Sequence, residues 1–114
     1  MYDNATVWDI HQQQLDAFID LVESKSATAV VVIFPNMLDP VSSIPYVDRV
    51  AQVFEAREYA DAHVLKLFDA AEAMPLQERI VSMRDAHASA MFNREVGLML
   101  YEKLIKLQQA QSTN

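Results

Sequence analysis

The sequence predicts an α/β chain in which amphipathic helices alternate with short buried strands. Three observations carry that reading. The run Ala29 to Phe34 reads Ala-Val-Val-Val-Ile-Phe without a polar interruption. β-Branched residues crowd a helix but fit a pleated surface, and a strand with no polar face is the mark of a parallel strand buried on both sides. A second apolar segment, His63 to Phe68, follows some thirty residues later, and stretches with helical spacing flank both. Alternation of this kind implies a doubly wound arrangement with helices on both faces of a parallel sheet.

Each element has its own justification. From Trp8 to Ser24, Leu15, Phe18, Ile19 and Val22 recur at helical intervals, with Asp16, Asp20 and Glu23 between them. Asn4 or Thr6 is the expected cap. The first strand, Thr28 to Phe34, stops at Pro35 and Asn36, and a loop follows through Pro40, Ser42 and Ser43. Pro45 suits the first turn of a second helix, whose stripe is Val47, Val50, Val53 and Phe54 and whose wet side is Asp48, Arg49, Glu55 and Arg57. Tyr59 to Asp61 would turn the chain into the second strand. Asp69 to Glu78 reads as a loop with a short helix broken at Pro75. A long last helix opens at Ala88 or Ser89 and carries Met91 or Phe92, Val96, Met99, Leu100, Leu104 and Leu107. Gln108 to Asn114 reads as a polar tail. The methionines and aromatics of that helix are expected to be core packing rather than a cofactor box.

Composition removes several function classes. With 114 residues and 12.9 kDa, the chain suits one domain or one part of a larger one. A net charge of −7 and nine scattered Lys and Arg argue against nucleic acid and against anionic lipid surfaces. The absence of cysteine excludes disulfides and thiolate chemistry. Met1 to Asn4 is polar and acidic, unlike the basic start of a signal peptide. The longest apolar run, Ala29 to Pro35, is too short to span a bilayer. The one glycine, Gly97, leaves no material for glycine-built phosphate loops or nucleophile elbows. It falls inside a helical pattern, where it is expected to permit close helix packing. Two parallel strands leave both edges of a sheet open, so the sheet is expected to be completed by another segment or another copy of the chain.

The stretch Asp85-Ala86-His87-Ala88-Ser89, immediately before the last helix, carries the chemistry. A carboxylate that fixes a neutral imidazole in one tautomer makes it a general base, the supporting half of a nucleophilic triad. The plain alternatives are a surface or cap role for His87 and a helix-capping role for Asp85. Ser42 and Ser43 lie past the carboxyl end of the first strand, where α/β sheets place ligands, but no glycine follows them to build an elbow, and they are expected to cap the second helix. Ser89 fits an N-cap. His11, His63 and His87 show no metal-ligand spacing, and no metal or cofactor is expected.

Taken in order, Val30-Val31-Val32-Ile33-Phe34-Pro35, a helix, His63-Val64-Leu65-Lys66-Leu67, and Asp85-Ala86-His87-Ala88-Ser89 before a terminal helix resemble the C-terminal part of SGNH/GDSL-type hydrolases, from about Tyr2 to Leu107. The resemblance implies a three-layer α/β/α, flavodoxin-like unit and hydrolysis or transfer of acyl esters. It implies His87 as general base and Asp85 as its orienting acid. Family members more often place two residues between these groups, whereas one stands here, and the pair is expected to meet across a turn. The Gly-Asp-Ser, glycine and asparagine blocks of the family are missing, so residues 1–114 resemble a C-terminal segment whose nucleophile and oxyanion donors lie elsewhere. The expected partners are that N-terminal half, or a second copy, and a small acyl ester; the segment alone is expected to be inactive. The alternative reading is a non-catalytic α/β assembly module.

Overall fold

The computed structural model describes residues 4–57 and 61–112. The turn expected at Tyr59 to Asp61 lies, except for Asp61, outside the described residues, as do Met1 to Asp3.

The first helix, α1, spans Ala5–Ser24. The Asn4 side chain accepts from the backbone N–H groups of Thr6 and Val7 and so satisfies two of the donors a helix start leaves open. The helix ends in a Schellman closure, with Ala27 N–H on the Val22 carbonyl and Ser26 N–H on that of Glu23, both at 3.0 Å. Ser26 adopts φ 51°, the position usually held by glycine. Strand β1, Ala29–Ile33, pairs in parallel with β2, Ala62–Lys66, in the register Ala29↔Ala62 to Ile33↔Lys66. Between them α2, Ile44–Glu55, makes the crossover, with Pro45 in its first turn as expected.

The alternation along the two strands sorts their side chains into two cores. Val31, Ala62 and Val64 pack with Ile19 of α1 and Val53 and Phe54 of α2. Val32 and Leu65 face the other way, towards Met37, Leu67, Phe92 and Val96. The sheet therefore lies between a layer of α1 and α2 and a layer built from α3 (Phe68–Ala73), α4 (Leu76–Arg79) and α5 (Ala90–Ser112). This is the expected α/β/α unit in partial form. β1 is only half-buried along its length rather than buried on both faces, because a sheet of two strands leaves its neighbour positions vacant.

Three further expectations change. The loop before α5 is a two-stranded antiparallel hairpin, β3 (Ile80–Ser82) with β4 (Asp85–Ala88). Strands of three and four residues show too little periodicity to be read from sequence. The polar tail is helical, since α5 runs on to Ser112, and only Thr113 and Asn114 lie outside the described residues. Gly97 does not mediate helix packing, because a Cβ placed there would meet nothing within 4 Å. Gly97→Ala is accordingly expected to raise stability by about 0.5–1 kcal/mol through helix propensity alone. An unchanged or lowered urea midpoint would contradict this.

Candidate functional site

The hairpin is held at both ends. At its tip, the Ser82 hydroxyl accepts from the backbone N–H groups of Arg84 and Asp85 at 3.2 and 3.1 Å, tightening the Met83–Arg84 turn. At its base, Ile80 and Ala88 pack against Met37 and Leu67, which stand just past the carboxyl ends of β1 and β2. The Ser89 backbone N–H donates to the Arg79 carbonyl at 2.9 Å, and the Ser89 hydroxyl bonds to the Glu78 carbonyl while accepting from Phe92 N–H. Ser89 is thus the expected cap of α5, and the hairpin sits at the carboxyl rim of the parallel sheet.

Asp85 and His87 meet without a turn. A strand repeats its facing every two residues, so both side chains of β4 point outward while Ala86 and Ala88 point inward, half-buried. The expectation that a turn was required is corrected by that periodicity. Asp85 Oδ1 accepts the His87 backbone N–H at 3.1 Å and lies 2.5 Å from the ring Nδ1. The hydrogen bond from the His87 ring, then the one from its backbone, hold the Asp85 carboxyl below its ordinary value. An ionised Asp85 makes Nδ1 the donor and leaves the lone pair on Nε2. The His87 side chain is 90% exposed, and Nε2 has no hydrogen-bond partner among the described residues.

The hydroxyls of the serines past β1 are bonded within their own loop and not to this pair. Ser43 donates to the Pro40 carbonyl at 2.8 Å and accepts from Asn36 N–H at 2.9 Å; Ser42 donates to the Asp39 carbonyl at 2.8 Å. Both hydroxyls close the loop 36–43 on itself. Ser43 stands at the N-cap of α2 but makes no side-chain bond to it, which corrects the expected capping. Among the described residues, no group of three histidine or carboxylate side chains is placed to hold a metal. No helix among them is long and apolar enough to cross a membrane.

Two features escaped the sequence reading. One is a second Asp-Ala-His string, Asp61-Ala62-His63, whose identity to residues 85–87 was visible in the letters. Here the ring uses Nε2, 2.6 Å from Asp61 Oδ1, and the Thr28 hydroxyl donates to the other oxygen of the same carboxylate. This cluster ties the start of β1 to the start of β2 at the amino rim, with His63 only 30% exposed, and is structural. Thr28 first, then His63, hold the Asp61 carboxyl below its ordinary 3.8. A depressed folded-state value contributes stability in full above pH 3.8 and loses it as pH falls through the lower folded value. Asp61→Asn is therefore expected to flatten the loss of stability on acidification from about pH 4 downward. Urea midpoints that fall with pH as steeply as in the parent chain would contradict it.

The other is Arg79, at 9% exposure the buried charge of the rim. Its guanidinium donates to the carbonyls of Met37 (2.8 Å), Ala71 (3.0 Å), Leu38 (3.2 Å) and Met74 (3.4 Å). It thereby ties the loop after β1, the end of α3 and the root of the hairpin. A single basic residue between Glu78 and Ile80 gave no sign of this.

Comparison with protein-family models, with curated proteins and with solved structures finds no match for this chain.

Proposed function

We propose that this chain is the acid–base part of a serine ester hydrolase of SGNH type, with His87 as general base and Asp85 as the group that orients it. One observation carries the reading: a carboxylate 2.5 Å from Nδ1 of an imidazole whose other nitrogen faces open solvent at the carboxyl rim of a parallel sheet. That rim is where open α/β sheets bind ligands. The half-exposed apolar side chains of Phe34 and Leu38, which follow β1, suit an acyl chain there.

The chemistry requires a serine supplied by a segment outside these 114 residues. As its Oγ bonds to the ester carbonyl carbon, the hydroxyl proton passes to His87 Nε2, and Asp85 stabilises the imidazolium. The proton then goes to the departing alkoxide as its carbon–oxygen bond breaks. Water repeats the sequence on the acyl-serine and frees the acid. Oxyanion donors, which supply much of the rate, also lie outside the chain. The chain alone is therefore inactive. No cofactor takes part.

The test is hydrolysis of a short-chain nitrophenyl ester by the chain combined with a Gly-Asp-Ser-bearing N-terminal segment. Hydrolysis that survives His87→Ala, or that depends equally on His63, removes the reading. The second reading, a non-catalytic assembly module, is favoured by the two open sheet edges. It expects assembly to be unchanged by His87→Ala and no hydrolysis under any combination.

A further inference from the structure

We propose that the free edge of β1 docks one extended, uncharged strand from a segment outside these 114 residues, running parallel to β1 beneath α1. The register fixes which backbone groups are free. Ala29 N–H donates to the Asp61 carbonyl and Leu67 N–H to the Ile33 carbonyl, so residues 29, 31 and 33 spend both backbone groups on β2. Val30 and Val32 consequently aim theirs at the opposite side, where the sheet ends.

That side is a groove rather than a bare edge. It measures about 320 Å³, with Val32 of β1 and Phe34 just past it along the floor, His11 and Leu15 of α1 as one wall, and Val50 and Phe54 of α2 behind. Helix α1 therefore overhangs a position that no strand of the described residues fills. In a right-handed β–α–β unit, the helix entering a parallel strand crosses from its neighbour. α1, joined to β1 by only Lys25 to Thr28, holds the place of such a crossover helix relative to β1, and the position beside β1 that it would cross from holds no strand of the described residues. Ile10 and Leu21 of α1 are more than half exposed.

The two edges differ in charge. The β2 edge ends in Lys66, ion-paired with Asp48 at 3.5 Å, a charge of the kind that keeps other strands away. From Ala27 to Phe34 the β1 side carries none. The chain exposes 7704 Å², against about 6,300 Å² for a compact monomer of its mass. The occupant is thus a strand of about five β-branched or apolar residues, which adds by main-chain hydrogen bonds with alternate side chains under α1. Parallel addition would bring its carboxyl end to the rim of His87. That this end delivers the serine rests on the hydrolase reading; the docking does not.

The probe is a nine-residue strand of alternating valine and threonine joined ahead of Met1 through a short Asn-Gly loop, which places it at millimolar effective concentration. A Gly/Ser extension of equal length is the control, and the same strand as a lysine-capped free peptide is titrated into the unmodified chain. Amide hydrogen exchange is read at Val30 and Val32, with Val31 as the already paired reference. The expected result is exchange at least tenfold slower at Val30 and Val32 in the strand-extended chain than in the control, unchanged Val31, and a shift of the same two amides by the free peptide. Equal exchange in both extended chains, with no response to the peptide, overturns the proposal. So does protection of Val30 and Val32 in the unextended chain together with a doubled mass by light scattering, which would place a second copy on the edge. Hydrolysis is not measured, so either outcome leaves the ester reading standing on its own test.

Discussion

On the proposed hydrolase reading, alanine in place of His87 is expected to reduce ester hydrolysis by the chain combined with its nucleophile-bearing segment about 10³- to 10⁴-fold, the scale on which triad members matter. Stability is expected to stay within about 0.5 kcal/mol of the parent, because the ring is 90% exposed and its one hydrogen bond is to the exposed Asp85. The combination is the informative part. A residue that loses rate without losing stability acts on the reaction rather than on the fold. His63→Ala is the matched control, with the same local string and the opposite rim, and is expected to leave the rate intact while lowering stability. A complete enzyme that keeps its rate with alanine at 87 would show that the Asp85–His87 pair is only a surface hydrogen bond.

Arg79→Met is expected to lower stability by about 3 kcal/mol or more. Each hydrogen bond from a charged donor is worth about 1.5–3 kcal/mol, and removing the donor leaves buried acceptors without a partner. Four carbonyls on two separate segments, the loop after β1 and the end of α3, lose this donor together, and of them Ala71 alone keeps another among the described residues, the Met74 N–H. Arg79→Lys restores charge but not the fork of donors, so most of the loss is expected to remain. Urea unfolding with an unchanged slope measures the effect. A decrease below about 1 kcal/mol would mean that packing of Ile80 and Phe92, not the guanidinium, seats the hairpin. Because Arg79 grips the Met37–Leu38 loop and the root of β3 at once, its loss is also expected to disperse the chemical shifts of residues 80–88 while sparing those of α1.

The legible parts of this molecule are those written in long periods. The stripes of α1 and α2, the runs Val30 to Ile33 and Val64 to Leu65, and the Ser89 cap all follow from spacing or from a hydrogen-bonding habit of one residue type. Asp85 and His87 were also legible, since their contact is local. The hairpin beneath them was not, because Ile80 to Ala88 alternates for too few residues and owes its form to the tertiary grip of Met37, Leu67 and Phe92. Arg79 was hidden for a related reason: its partners are backbone carbonyls up to 42 positions away, and a carbonyl has no letter in the sequence. Gly97 misled in the other direction, since a residue chosen for small size and one merely tolerated at an open helix surface look alike on paper.

The Schellman closure at Ser26 bears on how this chain could be improved without touching its chemistry. A side chain sits where the backbone turns left-handed, while the molecule's lone residue lacking one occupies a helix that gains nothing from it. Exchanging the two, Ser26→Gly with Gly97→Ala, keeps the amino-acid inventory almost constant. A Cβ at 97 meets nothing within 4 Å, so the two sites share no partner there and the gains are expected to add to about 1–2 kcal/mol. Such a hardened background would tolerate costly substitutions like those at Arg79 and still fold well enough to be assayed.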